Sequence, residues 1–200
     1  MKRIDVPYLD QTAQAPTGCE SVSAVMLLRY LGYDITIDRF LDTALDKGVW
    51  EQRSGEWWGS DPRQAFVGDP RDPEALGCYA PVMVWALERA AGGRYRAIDE
   101  TGSEIDDLCR RYIDQGMPVL LWCSINMRPT VNGPWYRLIP TGEPFMWVSN
   151  EHCLLLVGYD ETHYLCNDPW NNNGVVAYPR STMWQRHREQ GMQAVGMVRK

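Results

Sequence analysis

Four residues of this 200-residue sequence could together carry nucleophilic chemistry: Gln11, Cys19, His152 and Asp168, in that order along the chain. A cysteine attacks as its thiolate, so it needs surroundings that remove its proton. An imidazole can accept that proton, and a carboxylate can fix the tautomer and orientation of the imidazole. The order and local context of these residues predict a catalytic triad of Cys19, His152 and Asp168.

Cys19 follows a glycine and begins a predicted helix. Apolar residues recur after it at helical spacing, at Val22, Val25 and Met26. The unpaired N–H groups and the dipole of a helix start stabilise a thiolate, which favours Cys19 as a nucleophile. Glu20 acts in the opposite sense, because a neighbouring carboxylate raises the pKa of a thiol.

His152 and Asp168 belong to a predicted hairpin. His152 precedes the apolar strand 153–159, Asp168 follows the partner strand 164–167, and the turn is centred near Thr162. A tight turn brings the outer ends of its two strands together. Because His152 is ten positions before the turn centre and Asp168 is six after it, a bulge or a curled strand end is needed to make them adjacent.

Gln11 lies eight residues before Cys19 and is the candidate for the oxyanion hole. A side-chain amide held beside a nucleophile can donate a hydrogen bond to the oxyanion that develops during attack on a carbonyl group. One such donor lowers a reaction barrier by roughly 3–4 kcal/mol. The sequence therefore assigns Gln11 to the same site as the triad.

The remaining histidines and cysteines are given structural roles. His163 lies in a turn region and His187 in a charged helix, so both are expected to be solvated. The other cysteines do not form a C-x-x-C pair, and their spacings match no zinc pattern. These cysteines are expected to be small, buried, free thiols: Cys78, Cys109, Cys123, Cys153 and Cys166.

No cofactor is expected, and no metal site. The sequence has no H-E-x-x-H motif. Its clustered acids, Asp61, Asp69, Asp72 and Glu74, occur in turn contexts with proline, which explain them without calcium.

Helical patterns dominate the first half of the chain and antiparallel strand patterns the second, which predicts an α+β fold. The length predicts a single domain, residues 1–200. Within it, residues 48–79 carry three tryptophans and several glycine and proline turns, and we interpret them as one long, irregular, aromatic loop.

The composition limits the classes of partner. Lys and Arg number 20 and Asp and Glu number 26, giving a net charge of −6, so no nucleic-acid partner is expected. Asp5, Pro7 and Asp10 interrupt any apolar run near the start, and no run is long enough to span a membrane. The sequence as written indicates a cytoplasmic protein without a membrane span, or an extracellular one if a leader was removed. The oligomeric state is not predicted.

Several segments together resemble papain-like cysteine peptidases, in particular the stand-alone relatives of the bacteriocin-processing peptidases that cleave double-glycine leaders. They are Val6-Pro7-Tyr8-x-x-Gln11, residues 18–26, 66–70, 77–81 and 151–160, and Asn167-Asp168-Pro169. The resemblance covers nearly the whole chain. It implies a papain-like fold with Cys19 as nucleophile, His152 as base, Asp168 as the residue that orients it, and Gln11 in the oxyanion hole.

Three functions are compatible with these residues. The first is a cysteine peptidase or amide hydrolase that acts on a peptide or protein through a thioester. The second is an acyltransferase of the transglutaminase kind, in which some of the nine tryptophans, those of segment 48–79 with Trp135, Trp147 and Trp170, build a groove that excludes water, while the others pack in the core. The third is a catalytically silent module that binds peptide or cell-wall saccharide, since hydrolase folds also serve as binders.

Overall fold

The computed structural model describes residues 1–200. Its α-helices are α1 (Cys19–Tyr30), α2 (Ile37–Thr43), α3 (Ala80–Ala91), α4 (Ile105–Arg111) and α5 (Arg180–Glu189). Its strands are β1 (Lys2–Arg3), β2 (Lys47–Gly48), β3 (Trp50–Arg53), β4 (Glu56–Gly59), β5 (Phe66–Val67), β6 (Tyr95–Asp99), β7 (Val119–Ser124), β8 (Asn132–Leu138), β9 (Pro144–Val148), β10 (Glu151–Tyr159), β11 (His163–Asp168), β12 (Gly174–Pro179) and β13 (Ala194–Arg199). Short 3₁₀ turns cover Ile113–Gln115, Ile125–Met127 and Trp170–Asn172.

The main sheet has seven strands, six of them in the order β12-β11-β10-β7-β13-β6, while β1 pairs with the end of β10. Every pair in it is antiparallel. β7 is buried along its whole length and β10 along all but its last residue, Tyr159. Strands covered on both faces are expected to be apolar throughout rather than alternating, which explains their Val-, Leu- and Cys-rich sequences.

Helix α1 lies at the centre of the molecule, and its residues from Cys19 to Leu28 are all buried. It packs against β7 and β10 of the main sheet and against α2 and α3. The chain enters the helix at Gly18, where a Cβ atom would come within 2.8 Å of the Ala15 side chain and 3.0 Å of Pro70. A residue without a side chain is therefore required immediately before Cys19.

Helices packed on an antiparallel sheet confirm the predicted α+β class. A second, four-stranded sheet, in the order β3-β4-β8-β9, stands beside the main one. Its own apolar cluster contains Tyr136, Leu138 and Trp147. No helix in the structure combines the length and the apolar character needed to cross a membrane.

The prediction of one irregular loop over residues 48–79 is wrong for Phe66–Val67, which form strand β5 and pair with β2, and for residues 50–59. Residues 50–59 form the β3–β4 hairpin, whose turn residues Ser54 and Gly55 both have positive φ, of 50° and 84°. Turns of that kind match the twist of paired strands. The rings of Trp50 and Trp57 stack across the hairpin, with their centroids 4.4 Å apart, and this contact stabilises the pairing.

The prediction that His187 is solvated is also wrong, because the side chain is fully buried. Its two ring nitrogens lie 3.1 Å from the carbonyl oxygen of Trp122 and 3.2 Å from that of Ser103. Backbone carbonyl groups thus provide the polar partners that the sequence does not reveal. The expectation of buried thiols is confirmed, since all six cysteines are buried and free.

Candidate active site

A cavity of about 350 Å³ opens at the start of helix α1. The side chains of Gln11, Cys19 and His152 all line it, together with Trp147 and Trp170. Asp168 is not at its surface and lies fully buried behind His152. The structure therefore brings the four sequence-predicted residues to one region, although they come from both ends of the chain.

His152 and Asp168 form a direct pair, with Nε2 of His152 2.7 Å from Oδ1 of Asp168. A bulge between Leu156 and Gly158 interrupts the pairing of β10 with β11, and Leu155 faces Asn167 beyond it. If that pairing continues, Asp168 lies opposite Leu154. His152, two positions before Leu154, is then the diagonal neighbour of Asp168 on the same face of the sheet. The bulge expected from the uneven hairpin is confirmed.

Asp168 is held by donors on both of its carboxylate oxygens. Oδ1 also accepts from the backbone N–H of Trp170 at 3.0 Å. Oδ2 accepts from Nδ2 of Asn173 at 3.0 Å and from the phenol of Tyr178. Burial alone would raise the pKa of this carboxyl, but the hydrogen bond and charge of His152, with the Tyr178 and Trp170 donors, lower it to about 2. Asp168 is thus ionised at neutral pH and accepts the Nε2–H of His152.

Gln11 is buried in the cavity wall. Its backbone N–H donates to the carbonyl oxygen of Pro169 at 2.9 Å, which links the N-terminal segment to the turn after Asp168. Its side-chain Nε2 donates to the carbonyl oxygen of Pro16 at 2.8 Å. An amide nitrogen carries two hydrogens, so one N–H of Gln11 is left for another acceptor.

The thiol of Cys19 lines the cavity but makes no hydrogen bond with His152. The thiol donates to Oε2 of Glu20 at 3.3 Å, and its sulphur accepts the backbone N–H of Cys153 at 3.3 Å. Burial raises the pKa of the thiol well above its ordinary value, and the nearby Glu20 and Glu151 raise it further. This direction is opposite to the one expected from the helix start, and burial is its main cause, followed by Glu20 and Glu151.

Glu20 and Glu151 form a buried carboxyl pair beside Cys19. Oε1 of Glu20 accepts the backbone N–H of Cys78 at 2.7 Å, while Oε1 of Glu151 is enclosed without a hydrogen-bond partner. Burial raises the pKa of Glu20 to about 7, and burial together with the charge of Glu20 raises the pKa of Glu151 well above its ordinary range. The pair therefore retains protons at a pH where exposed glutamates are ionised.

Only one group of side chains has the donor set and spacing to hold a metal ion. Its members are Cys19, Glu20 and Glu151, and their ligand atoms lie within 4.8 Å of one another. The S–H···O bond between Cys19 and Glu20 accounts for the closest contact without an ion. Of the acids named above, Asp61 pairs with Arg63, Asp69 pairs with Lys47 and accepts the backbone N–H of Arg71, and Asp72 accepts the backbone N–H of Glu74. We assign no ion to either place.

Several contacts within the site were not predicted from the sequence. Asn173 and Tyr178 bind Asp168, Trp170 presents its ring edge-on to His152 at 6.3 Å, and Glu151 joins the carboxyl pair. The first three lie within ten positions after Asp168, in the turn and strand of the β11–β12 hairpin. Proximity to Asp168 in that hairpin was the available signal, whereas nothing in the sequence connects Glu151 to Glu20.

Comparisons with known proteins agree with this architecture. The chain is 27% identical over 197 residues to the uncharacterized protein YvpB of Bacillus subtilis, a match that covers 97% of this chain and 75% of that protein. The crystal structure of a C39-like peptidase from Bacillus anthracis superposes with a TM-score of 0.84 at 23% identity, covering 100% of this chain and 98% of the other. A double glycine motif protease from an AMS/PCAT transporter, solved with its leader peptide, has a TM-score of 0.54 at 13% identity, covering 98% and 92%.

These likenesses establish the fold, and the family follows from the sequence match. The model of the Peptidase_C39 like family matches residues 3–195, which is nearly the whole chain. The resemblance to stand-alone relatives of double-glycine peptidases is thereby confirmed. The protein belongs to the Peptidase_C39 like family and has the α+β fold of the C39-like peptidases.

Proposed function

We propose that this protein is a cysteine peptidase that cleaves a peptide or protein through an acyl-enzyme thioester on Cys19. The observation that carries the proposal is the buried His152–Asp168 pair, 2.7 Å between Nε2 and Oδ1, in the wall of the same cavity that Cys19 and Gln11 line. The proposal treats residues 1–200 as one peptidase domain.

In the proposed reaction His152 moves the protons. Asp168 accepts the Nε2–H of His152, so Nδ1 carries the lone pair that takes the proton from the Cys19 thiol. The donors on Asp168, from Trp170, Asn173 and Tyr178, hold the imidazole in that tautomer. The thiol must first leave Glu20, to which it donates in the structure.

The thiolate then attacks the scissile carbonyl carbon, and the C–N bond breaks as His152 returns the proton to the departing amine. Water, deprotonated by His152, hydrolyses the thioester and regenerates the thiol. Gln11 has one N–H of its amide beyond the bond to Pro16, and we assign it to the developing oxyanion.

The cavity supports a peptide segment as substrate. Pro16, Leu76, Ile125, Trp147 and Trp170 provide apolar wall, while Gln11 and Ser149 provide polar groups. Pockets that bind a substrate commonly combine apolar walls with a few polar groups. The structural neighbour that holds its leader peptide also supports a peptide substrate, since the two chains share a fold.

The argument for an acyltransferase is weakened by the position of the tryptophans. Trp50 and Trp57 stack on each other in the small sheet, and Trp122 is fully buried. Trp147 and Trp170 alone among the nine tryptophans line the cavity. The tryptophans of the segment 48–79 therefore do not build a water-excluding groove at Cys19.

The test is digestion of a peptide library, read by liquid chromatography and mass spectrometry, with wild type, Cys19→Ala and the control Cys109→Ala. Cys109 is a buried cysteine of helix α4 outside the cavity. We expect cleavage by wild type and Cys109→Ala and none by Cys19→Ala. Full cleavage by Cys19→Ala would overturn the proposal, and products joined to an added amine would assign the acyltransferase instead.

A further inference from the structure

The buried carboxyl pair, Glu20 and Glu151, has no part in the proposed reaction, although it lies against the nucleophile. Ligand atoms of Cys19, Glu20 and Glu151 fall within 4.8 Å of one another. Carboxyl groups rarely lie this deep in a protein without a cationic partner. Their position beside the reacting sulphur therefore requires an explanation.

The place of Glu20 is built into the fold. Its Oε1 accepts the backbone N–H of Cys78, and Gly77 leaves room for it. A Cβ atom on Gly77 would lie 2.7 Å from Oε1 of Glu20 and 3.0 Å from the ring of Trp147. With one oxygen fixed in this way, the other oxygen, Oε2, is presented to the thiol of Cys19.

The charges around the pair are almost all negative or neutral. The groups that interact electrostatically with the pair are the thiols of Cys19, Cys78 and Cys153, the phenol of Tyr79 and the imidazole of His152. Among these, His152 is the one able to carry positive charge. None of the main contributions to the pKa of either carboxyl comes from a lysine or an arginine, so protons provide most of the compensation.

We propose that Glu20 is a positioning residue which holds the thiol of Cys19 protonated and turned away from His152 in the resting enzyme. The proposal rests on the proposed function, in which Cys19 must move from Glu20 to His152 before it attacks. Glu151 sets how firmly Glu20 holds the thiol, because its own charge and proton act directly on the Glu20 carboxylate.

One substitution distinguishes a Glu20 that holds the thiol from a Glu20 that acts as the base. If Glu20 holds the thiol, replacing its carboxylate by a neutral amide lowers the pKa of Cys19 and frees the sulphur. If Glu20 were instead the base that accepts the thiol proton, the same replacement would slow the reactions of Cys19. A glutamine has nearly the same shape as a glutamate and can still accept the N–H of Cys78. Wild type and Glu20→Gln therefore differ in the charge of this side chain and not in its packing.

The experiment is the rate of alkylation of Cys19 by iodoacetamide between about pH 5 and 9, measured by peptide mass spectrometry. The proteins are wild type, Glu20→Gln, Glu151→Gln, His152→Ala and the control Glu161→Gln, whose side chain is exposed in the β10–β11 turn. At about pH 7 we expect Glu20→Gln to react at least about tenfold faster than wild type, since each unit of thiol pKa changes the thiolate fraction tenfold. Glu151→Gln should react about threefold faster, and Glu161→Gln at the wild-type rate.

The five other cysteines provide the control for folding, because all are buried. A variant that has lost its structure would expose all six thiols, whereas release of the nucleophile accelerates Cys19 alone. If Glu20→Gln proves unfolded by this criterion, Glu151→Gln carries the test. An unchanged or slower rate at Cys19 in a folded Glu20→Gln or Glu151→Gln protein would overturn the proposal.

The same data separate this inference from the proposed function. If His152→Ala slows alkylation while Glu20→Gln does not accelerate it, Glu20 is not a positioning residue, but the imidazole still activates the nucleophile. If Glu20→Gln accelerates alkylation while His152→Ala has no effect, Glu20 holds the thiol as inferred and the Cys–His mechanism fails.

Discussion

The two sides of the cavity are built on opposite principles. Asp168 accepts four hydrogen bonds, and its carboxylate is stabilised in the charged form. Glu151 is also buried, yet its Oε1 has no partner. In the proposed mechanism, the base side of the site (His152 and Asp168) is preorganised for its task, while the nucleophile side (Cys19, Glu20 and Glu151) is held in a resting arrangement.

The two sides also respond to pH in opposite directions. The pKa of Asp168 is lowered by its hydrogen bonds, whereas the pKa values of Glu20 and Glu151 are raised by burial. A lowered carboxyl pKa stabilises the fold above the unfolded pKa, and a raised one stabilises it below. Acid should therefore weaken the base side and alkali the nucleophile side.

The largest effect is expected from His152→Ala, which removes the base and leaves Asp168 buried without its partner. We expect hydrolysis to fall by about 10³-fold or more, within the range for loss of a general acid–base group. Initial rates on a peptide found in the library screen provide the measurement. A loss of less than tenfold in a folded variant would contradict the assignment of His152 as the base.

A smaller loss is expected from Asp168→Asn, which preserves the shape of the side chain but removes its charge. The imidazole then loses the partner that fixes its tautomer, and we expect hydrolysis to fall about 10²-fold, the lower end of the range for general acid–base catalysis. The variant also tests acid stability. Wild type should lose on the order of 2 kcal/mol of unfolding free energy as pH falls from about 4 to 2, and Asp168→Asn should lack that loss. Urea denaturation at several pH values would show it, and equal acid sensitivity would count against the lowered pKa.

The nucleophile side predicts the opposite pH profile. Because the carboxyl pKa values are raised, their stabilising contribution is present below about pH 4 and is lost as pH rises towards the folded pKa, about 7 for Glu20. Between about pH 5 and 8, wild type should therefore lose unfolding free energy relative to Glu151→Gln. Denaturation at the two pH values, in wild type and variant, measures the difference. If wild type and Glu151→Gln lost the same unfolding free energy between the two pH values, ionisation of the Glu20–Glu151 pair would not destabilise the fold.

The smallest effect concerns Tyr178→Phe, which removes one donor from Asp168 and leaves the pair with His152 intact. Loss of a hydrogen bond to a charged group costs roughly 1.5–3 kcal/mol of stability, and we expect hydrolysis to fall less than tenfold. Tyr164→Phe is the matched control, because that phenol donates to Asp106, outside the cavity. Equal changes in activity in both variants would show that the Tyr178 bond does not tune the base.

The elements that carry the site were largely predictable from the sequence. Helix α1 follows from its apolar spacing and β10 from its unbroken apolar run, and the uneven hairpin required the bulge that occurs before Gly158. These are local patterns, set by side-chain periodicity and turn chemistry. The position of His152 relative to Asp168 follows from them, because both residues belong to one hairpin.

Contacts between distant segments could not be predicted in the same way. Glu20 and Glu151 meet because helix α1 packs on β10, and no local pattern gives the register of that packing. The β3–β4 hairpin was missed because its strands are short and largely polar or exposed. His187 was misjudged because its neighbours in sequence are charged, while its partners are carbonyl groups of other elements.

The link between Gln11 and the turn after Asp168 has a consequence for the synthesis of the protein. The backbone of Gln11 donates to Pro169, and the side chain of Asp10 accepts from the backbone of Asn172. A chain is made from its N-terminus, so Cys19 emerges from the ribosome long before these partners exist. A nascent chain that ends before Asp168 lacks the proposed catalytic pair and the anchor of Gln11, so we expect no cleavage by Cys19 until the chain extends past Asn172.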